Sequence, residues 1–182
     1  ASYSRPGAGR QPFRGAELRA GKIARTAMFA HLQIYEPREP LMRLVTELGI
    51  PLPKGFSAAA EFVFNNQLRA ALVQANIEVK RVISLLESAR LEGVVLDSAT
   101  LEFAYRESLE RLAEAFVAEP SLAALETFLQ SANTLPHLPF GVDLWKVQNL
   151  FYDVLQRWYP THQGAQPEGD ETIMLRWIAC FQ

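Results

Sequence analysis

Apolar residues along this chain return every three to four positions, in runs broken by proline and glycine, and that rhythm predicts helices throughout. The first run is IARTAMFAHLQIYE, where Ile23, Ala27, Ala30 and Ile34 recur at helical spacing beside Met28 and Leu32 until Pro37 ends it. Pro40 suits the first turn of a short second helix, whose Leu41, Leu44, Val45 and Leu48 form one apolar stripe before Gly49 supplies a stop. Two prolines and a glycine in IPLPKGF force a corner, and Ser57 is placed to cap the run AAAEFVFNNQLRAALVQ. Beyond a bend or break expected near Asn76, IEVKRVISLLESARLEG turns Ile77, Val82, Leu85, Leu86 and Ala89 inward, and Gly93 closes it.

The second half follows the same grammar. Asp97 is a good N-cap for SATLEFAYRESLERLAEAFVA, in which Leu101, Tyr105, Leu109, Leu112 and Phe116 line one face while Glu and Arg alternate opposite them. Pro120 is expected to begin PSLAALETFLQSAN, LPHLPFG is too stiff for helix, and Asp143 caps LWKVQNLFYDVLQRWY, which Pro160 stops. After the polar connector THQGAQPEGDE, Asp170 is placed to cap ETIMLRWIACFQ, which ends mid-pattern on apolar residues as a fragment would. No run of alternating Val, Ile and Thr reads as a strand; Gly93-Val94-Val95-Leu96 is too short to be more than a connector. The expected fold is all-α, a helical bundle or array of about seven helices. Residues 1–22, with four glycines, two prolines and five basic residues, read as a flexible basic leader or a tag-derived arm, and 23–182 as the helical domain.

Composition narrows the function more than the fold. With 182 residues, 49% hydrophobic and 21% charged, the chain can bury a sizeable core without disulfide or metal. The net charge of −2 divides unevenly: residues 1–40 carry seven basic and three acidic residues (+4), and the rest eleven and seventeen (−6). An acidic body repels a polyanion, so nucleic acid is not an expected partner. No segment approaches the roughly 20 consecutive apolar residues that span a bilayer, and no signal peptide opens the chain, so neither membrane nor export is expected. The one cysteine, Cys180, lies in an apolar run and fits a buried role in a reducing compartment, with the cytoplasm as the expected location.

A search for chemistry finds little. His31, His137 and His162 share no spacing that sets two metal ligands on one face, so no metal or other cofactor is expected. There is no Gly-x-Ser-x-Gly elbow, Cys180 has no neighbour to activate its thiol, and no Gly-Lys-Ser or Gly-Lys-Thr phosphate loop occurs. Carboxylates are plentiful, but Glu102 with Arg106, Arg106 with Glu110 and Glu107 with Arg111 fall at i,i+4, the spacing of a solvated ion-paired helix face. No catalytic residue is assigned.

One cluster stands apart. In VDLWKVQNLFYDVLQRWY, Trp145, Asn149 and Tyr152 fall at i, i+4 and i+7 with Gln148 beside them. Aromatic rings stack on apolar sugar faces while amides bond hydroxyls, so the string reads as a candidate ligand or interdomain contact; the same residues also suit helix packing.

The strings IYEPREPLMRLVTELGIPLPKGFSAAAEFVFNNQLRAAL, Gly93-Val94-Val95-Leu96-Asp97 and VDLWKVQNLFYDVL resemble the uncharacterised C-terminal domain that follows glycoside hydrolase family fifty-seven-like catalytic barrels in large bacterial proteins. The likeness covers about residues 33–156 and contains no catalytic signature. It implies a non-catalytic accessory domain that supports an upstream catalytic barrel of the same polypeptide. The barrel would hold the catalytic Glu and Asp, with an α-glucan as substrate. Only Trp145, Gln148, Asn149 and Tyr152 could then help shape the glucan cleft. The alternative is a free-standing helical interaction or dimerisation module whose apolar groove receives a partner helix.

Overall fold

The computed structural model describes the backbone of residues 12–162 and the side chains of residues 21–154 and of Gln156. The described chain is all-helical, with no strand among the described residues. In order, α1 spans Pro12–Tyr35, α2 Glu39–Glu47, α3 Lys54–Leu72, α4 Val79–Leu91, α5 Ser98–Ala118, α6 Leu122–Ala132 and α7 Trp145–His162. Short 3-10 turns at Glu36–Arg38 and Leu135–His137 join α1 to α2 and follow α6. The chain divides within α3 into two compact units, the first ending at Val63 and the second beginning at Phe64.

Most boundaries follow from local chemistry. Asp97 caps α5 by accepting from the Thr100 amide at 3.1 Å. Hydrogen bonds from the Thr100 side chain and backbone hold the Asp97 carboxyl below the usual value of 3.8. Gly49 and Gly93, at φ 70° and 65°, end α2 and α4 in the left-handed conformation that glycine adopts without a Cβ penalty. Each stop is a paired closure: Gly49 N–H donates to Thr46 and Ile50 N–H to Val45, while Gly93 donates to Arg90 and Val94 to Ala89. The break expected near Asn76 lies between Leu72 and Val79.

Four boundaries differ from the sequence reading. Helix α1 begins at Pro12, before Ile23, because Gly15 and Gly21 cost a helix only about 1 kcal/mol each and Pro12 suits its first turn. Residues 1–11 of the expected leader lie outside the described residues. Helix α3 begins at Lys54 because the Pro53 carbonyl accepts from both Phe56 and Ser57. Ser57 is therefore internal, and its hydroxyl meets Glu61 at 3.2 Å instead of capping. Helix α6 begins after Ser121, whose hydroxyl accepts from the Ala124 amide, so Pro120 precedes the cap. Helix α7 continues past Pro160 to His162. The run from Asp170 and Cys180 fall outside the described residues.

The second unit is built around α5, which packs against both α6 and α7. Tyr105, Leu109, Ala113 and Phe116 of α5 have no accessible surface, and Leu68, Ile77, Val82 and Leu125 close around them. The inward residues expected from periodicity are found there: Ile77, Val82 and Ala89 are buried, with Leu85 and Leu86 packed against the cluster. Phe151 of α7 stacks on Phe116 at 5.3 Å between ring centres and meets Phe128 of α6 at 4.7 Å. The Tyr105 hydroxyl donates to the Ser131 carbonyl at 2.6 Å, satisfying the one polar group this core ring carries.

The first unit is differently balanced. Tyr35, Met42, Ala59, Ala60 and Val63 are buried, and His31 stacks on Phe62 at 4.3 Å. Of the apolar stripe expected on α2, however, Leu41, Leu44 and Leu48 are all more than half exposed and Val45 is half-buried, and Met42 is the buried residue. Periodicity identifies an apolar face but does not place a partner against it.

Candidate functional site

The aromatic and amide cluster lies on α7, and α5 carboxylates fix where that helix begins. Asp143 caps it, with its carboxylate accepting from the Trp145 amide at 2.9 Å. The Asp143 amide donates in turn to Glu102 at 3.3 Å. Lys146 reaches Glu110 at 2.9 Å and Glu114 at 2.8 Å. The hydrogen bonds to Glu114 and then Glu110 raise the Lys146 pKa. Glu102 and Glu110 also take Arg106 between them, at 3.0 and 3.7 Å. The carboxylates expected on a merely solvated face are thus partly recruited to hold the start of α7. Arg111, by contrast, leaves its expected partner Glu107 and donates to the Val73 carbonyl and the Ser108 hydroxyl.

Helical geometry then sorts the α7 side chains. Val147, Phe151 and Val154 are buried against the core, which turns Trp145, Gln148, Asn149 and Tyr152 together onto the opposite side. Trp145 is 71% exposed and Tyr152 60% exposed, so the two rings are not core residues. Gln156, at the next position of the same face, is exposed as well. The sequence reading missed it, although the 4-3-4 spacing of 145, 149, 152 and 156 contains the signal.

The arrangement, two rings and two amides on one exposed face, suits contact. Two rings offer apolar faces about 10 Å apart along the helix axis, from the rise of 1.5 Å per residue. The Gln148 side-chain amide makes no hydrogen bond among the described residues, whereas the Asn149 side-chain amide donates to the Trp145 carbonyl at 2.9 Å. An amide already tied to its own helix is a weaker candidate for binding a ligand than a free one.

Elsewhere, the described residues contain no group of three His, Cys, Asp or Glu side chains that could hold a metal ion. His31 is half-buried against Phe62 and His137 is exposed in a 3-10 turn. A shallow hollow of about 330 Å³ in the first unit is lined by Ile34, Arg38, Pro53, Gly55 and Phe56, with the Arg38 guanidinium 5.8 Å from the Phe56 ring centre. It offers apolar surface and one cation, and no acid or base pair. Among the described residues no helix is long and apolar enough to cross a membrane.

Comparison with known proteins adds no identity: no family model, no curated protein and no solved structure matches the chain.

Proposed function

We propose that this chain is a non-catalytic accessory domain that works by contact, presenting the α7 face of Trp145, Gln148, Asn149 and Tyr152 to a neighbouring domain or its substrate. The observation that carries the reading is the exposure of Trp145 and Tyr152 on a helix whose other side is locked into the core. Large aromatic side chains held rigidly in solvent supply contact area at little entropic cost. The resemblance noted above gives the partner its proposed identity: a glycoside-hydrolase-like catalytic barrel in the same polypeptide, acting on an α-glucan. Under this reading the domain supports the barrel and helps shape its cleft, needs no metal or cofactor, and works in the cytoplasm without nucleic acid.

The test is to express the parent polypeptide with and without residues 23–182, and with Trp145→Ala and Tyr152→Ala together. The expected outcome is a barrel that loses thermal stability without the domain. The double variant should bind α-glucan or the barrel at least tenfold more weakly, since truncating central aromatic anchors costs about 2 kcal/mol or more. A barrel equally stable and active alone sinks the support role.

A second reading, a free-standing interaction or dimerisation module, is favoured by the outward Leu41, Leu44 and Leu48 of α2. Two leucines on one short helix and a third at its C-terminal cap form the kind of apolar stripe that receives a partner helix.

A further inference from the structure

Helix α5 carries a surface row that the core does not use. Phe103, Glu107, Glu110 and Glu114 fall within about 60° of one another on the helix wheel, on the side away from the buried Tyr105, Leu109 and Phe116. Phe103 is 57% exposed, and Glu107 and Glu114 are exposed with it. The row borders α7, because Lys146 reaches both Glu110 and Glu114. Glu102 meets Asp143 near the start of both helices and Phe116 stacks on Phe151 further along, so α5 and α7 run in the same direction. Phe103 and Trp145, each near the start of its helix, therefore stand at the same end of the pair.

Charge narrows what this surface can take. Glu102, Glu107, Glu110, Glu114 and Asp143 stand here against Arg106 and Lys146, five acidic residues to two basic, a net −3. Arg111 is turned away to the Val73 carbonyl. A neutral glucan has no charge to match such a surface, and a polyanion is repelled by it. Arg106 shows the chemistry that fits: its guanidinium lies 5.5 Å from the Phe103 ring centre while it reaches Glu102 at 3.0 Å and Glu110 at 3.7 Å. Glu107, one turn beyond Phe103, has no ion pair among the described residues. An exposed ring with an unpaired carboxylate at i+4 is open to a guanidinium arriving from outside, which stacks on the one and pairs with the other. We propose that the α5–α7 face docks an arginine-rich segment of a partner protein, with Phe103 and Trp145 as ring anchors and Glu107 as the carboxylate that receives an arginine. The proposal rests on the reading of α7 as a contact face and narrows its occupant to a protein. Aromatic and arginine side chains are the residue types that dominate such contacts, and charge complementarity sets their specificity.

The test is calorimetric titration of the full 182-residue chain with a synthetic helix of Arg, Leu and Ala, about 18 residues or five turns long. The same helix with Glu in place of Arg is the control, and an α-glucan oligosaccharide is titrated beside them. The arginine helix is expected to bind, several-fold more weakly as salt is raised from about 0.05 to about 0.5 M, and the glutamate helix is expected not to bind. Glu107→Lys and Phe103→Ala should each raise the dissociation constant at least fivefold, and Trp145→Ala at least tenfold. All three side chains are exposed, and circular dichroism checks that each variant keeps its helices. Equal binding of the two helices overturns the proposal, as does binding indifferent to Glu107→Lys. No binding of the arginine helix up to about 1 mM, a range that spans weak association, overturns it as well. If the oligosaccharide then binds and Trp145→Ala abolishes that binding, the contact reading of α7 stands while the protein occupant falls; if Trp145→Ala changes nothing in either titration, both fall.

Discussion

The two units solve the same problem, covering apolar helix faces, with opposite success. Around α5 the second unit buries Tyr105, Leu109, Ala113 and Phe116 completely and satisfies the lone phenol through Ser131. The first unit buries Tyr35 and Met42 yet leaves Ile23, Phe29, Leu41, Leu44 and Leu48 in solvent. The difference lies in neighbours and not in hydrophobicity: α5 has packed helices beside it, whereas α1 and α2 carry equally apolar stripes that nothing among the described residues covers. A helix apolar on two sides belongs with a partner. The second unit therefore holds the fold, and the first unit offers surface.

That contrast can be broken first at its strongest point. Phe116→Ala removes a ring with no accessible surface that stacks on Phe151, and buried Phe→Ala changes cost about 3–5 kcal/mol. The expected result, by chemical denaturation, is a loss in that range or outright unfolding. A cost below about 1 kcal/mol, the level of surface changes, would show that α5 is not the centre of the fold.

A smaller effect comes from Tyr105. Burial pushes its pKa up from 10.0 to about 12. Below pH 10 folded and unfolded chains both keep the phenol proton, so the stability is complete. Between pH 10 and 12 only the unfolded chain releases it, and stability falls by about 1–3 kcal/mol. Denaturation midpoints across that range, compared with Tyr105→Phe, measure the fall; a Tyr105→Phe chain that declines identically would assign the loss elsewhere.

How much of this was legible beforehand depends on which forces decided it. Caps and stops are local, so Asp97, Asp143, Gly49 and Gly93 could be read from single residues and their neighbours. The inward faces of α4 and α5 were legible because their apolar rows meet other rows in the same unit. Ser57 was misread because a cap and an ordinary internal serine look alike until it is known that the Pro53 carbonyl starts the helix. The candidate site was legible as a set of residues but not as a surface. The same periodicity that groups Trp145, Gln148, Asn149 and Tyr152 leaves open which side of α7 faces in, and Val147, Phe151 and Val154 settle that only through their packing on the core. The tie from Glu102 to the Asp143 amide, across 41 positions, has no sequence signal at all.

The finest test of the contrast is a substitution expected to do almost nothing. Leu41 is as apolar as any core leucine but 60% exposed, so Leu41→Gln removes little buried surface and keeps a good helix former. Its cost to stability should lie within about 0.5 kcal/mol, the usual range for surface changes. The same residue type at Leu109, with no accessible surface, would bury an unpaired amide and cost several kcal/mol. A large loss at Leu41 would mean that α2 packs its leucine row in solution. The first unit would then be as self-contained as the second, and its apolar rows would no longer be surface on offer to a partner.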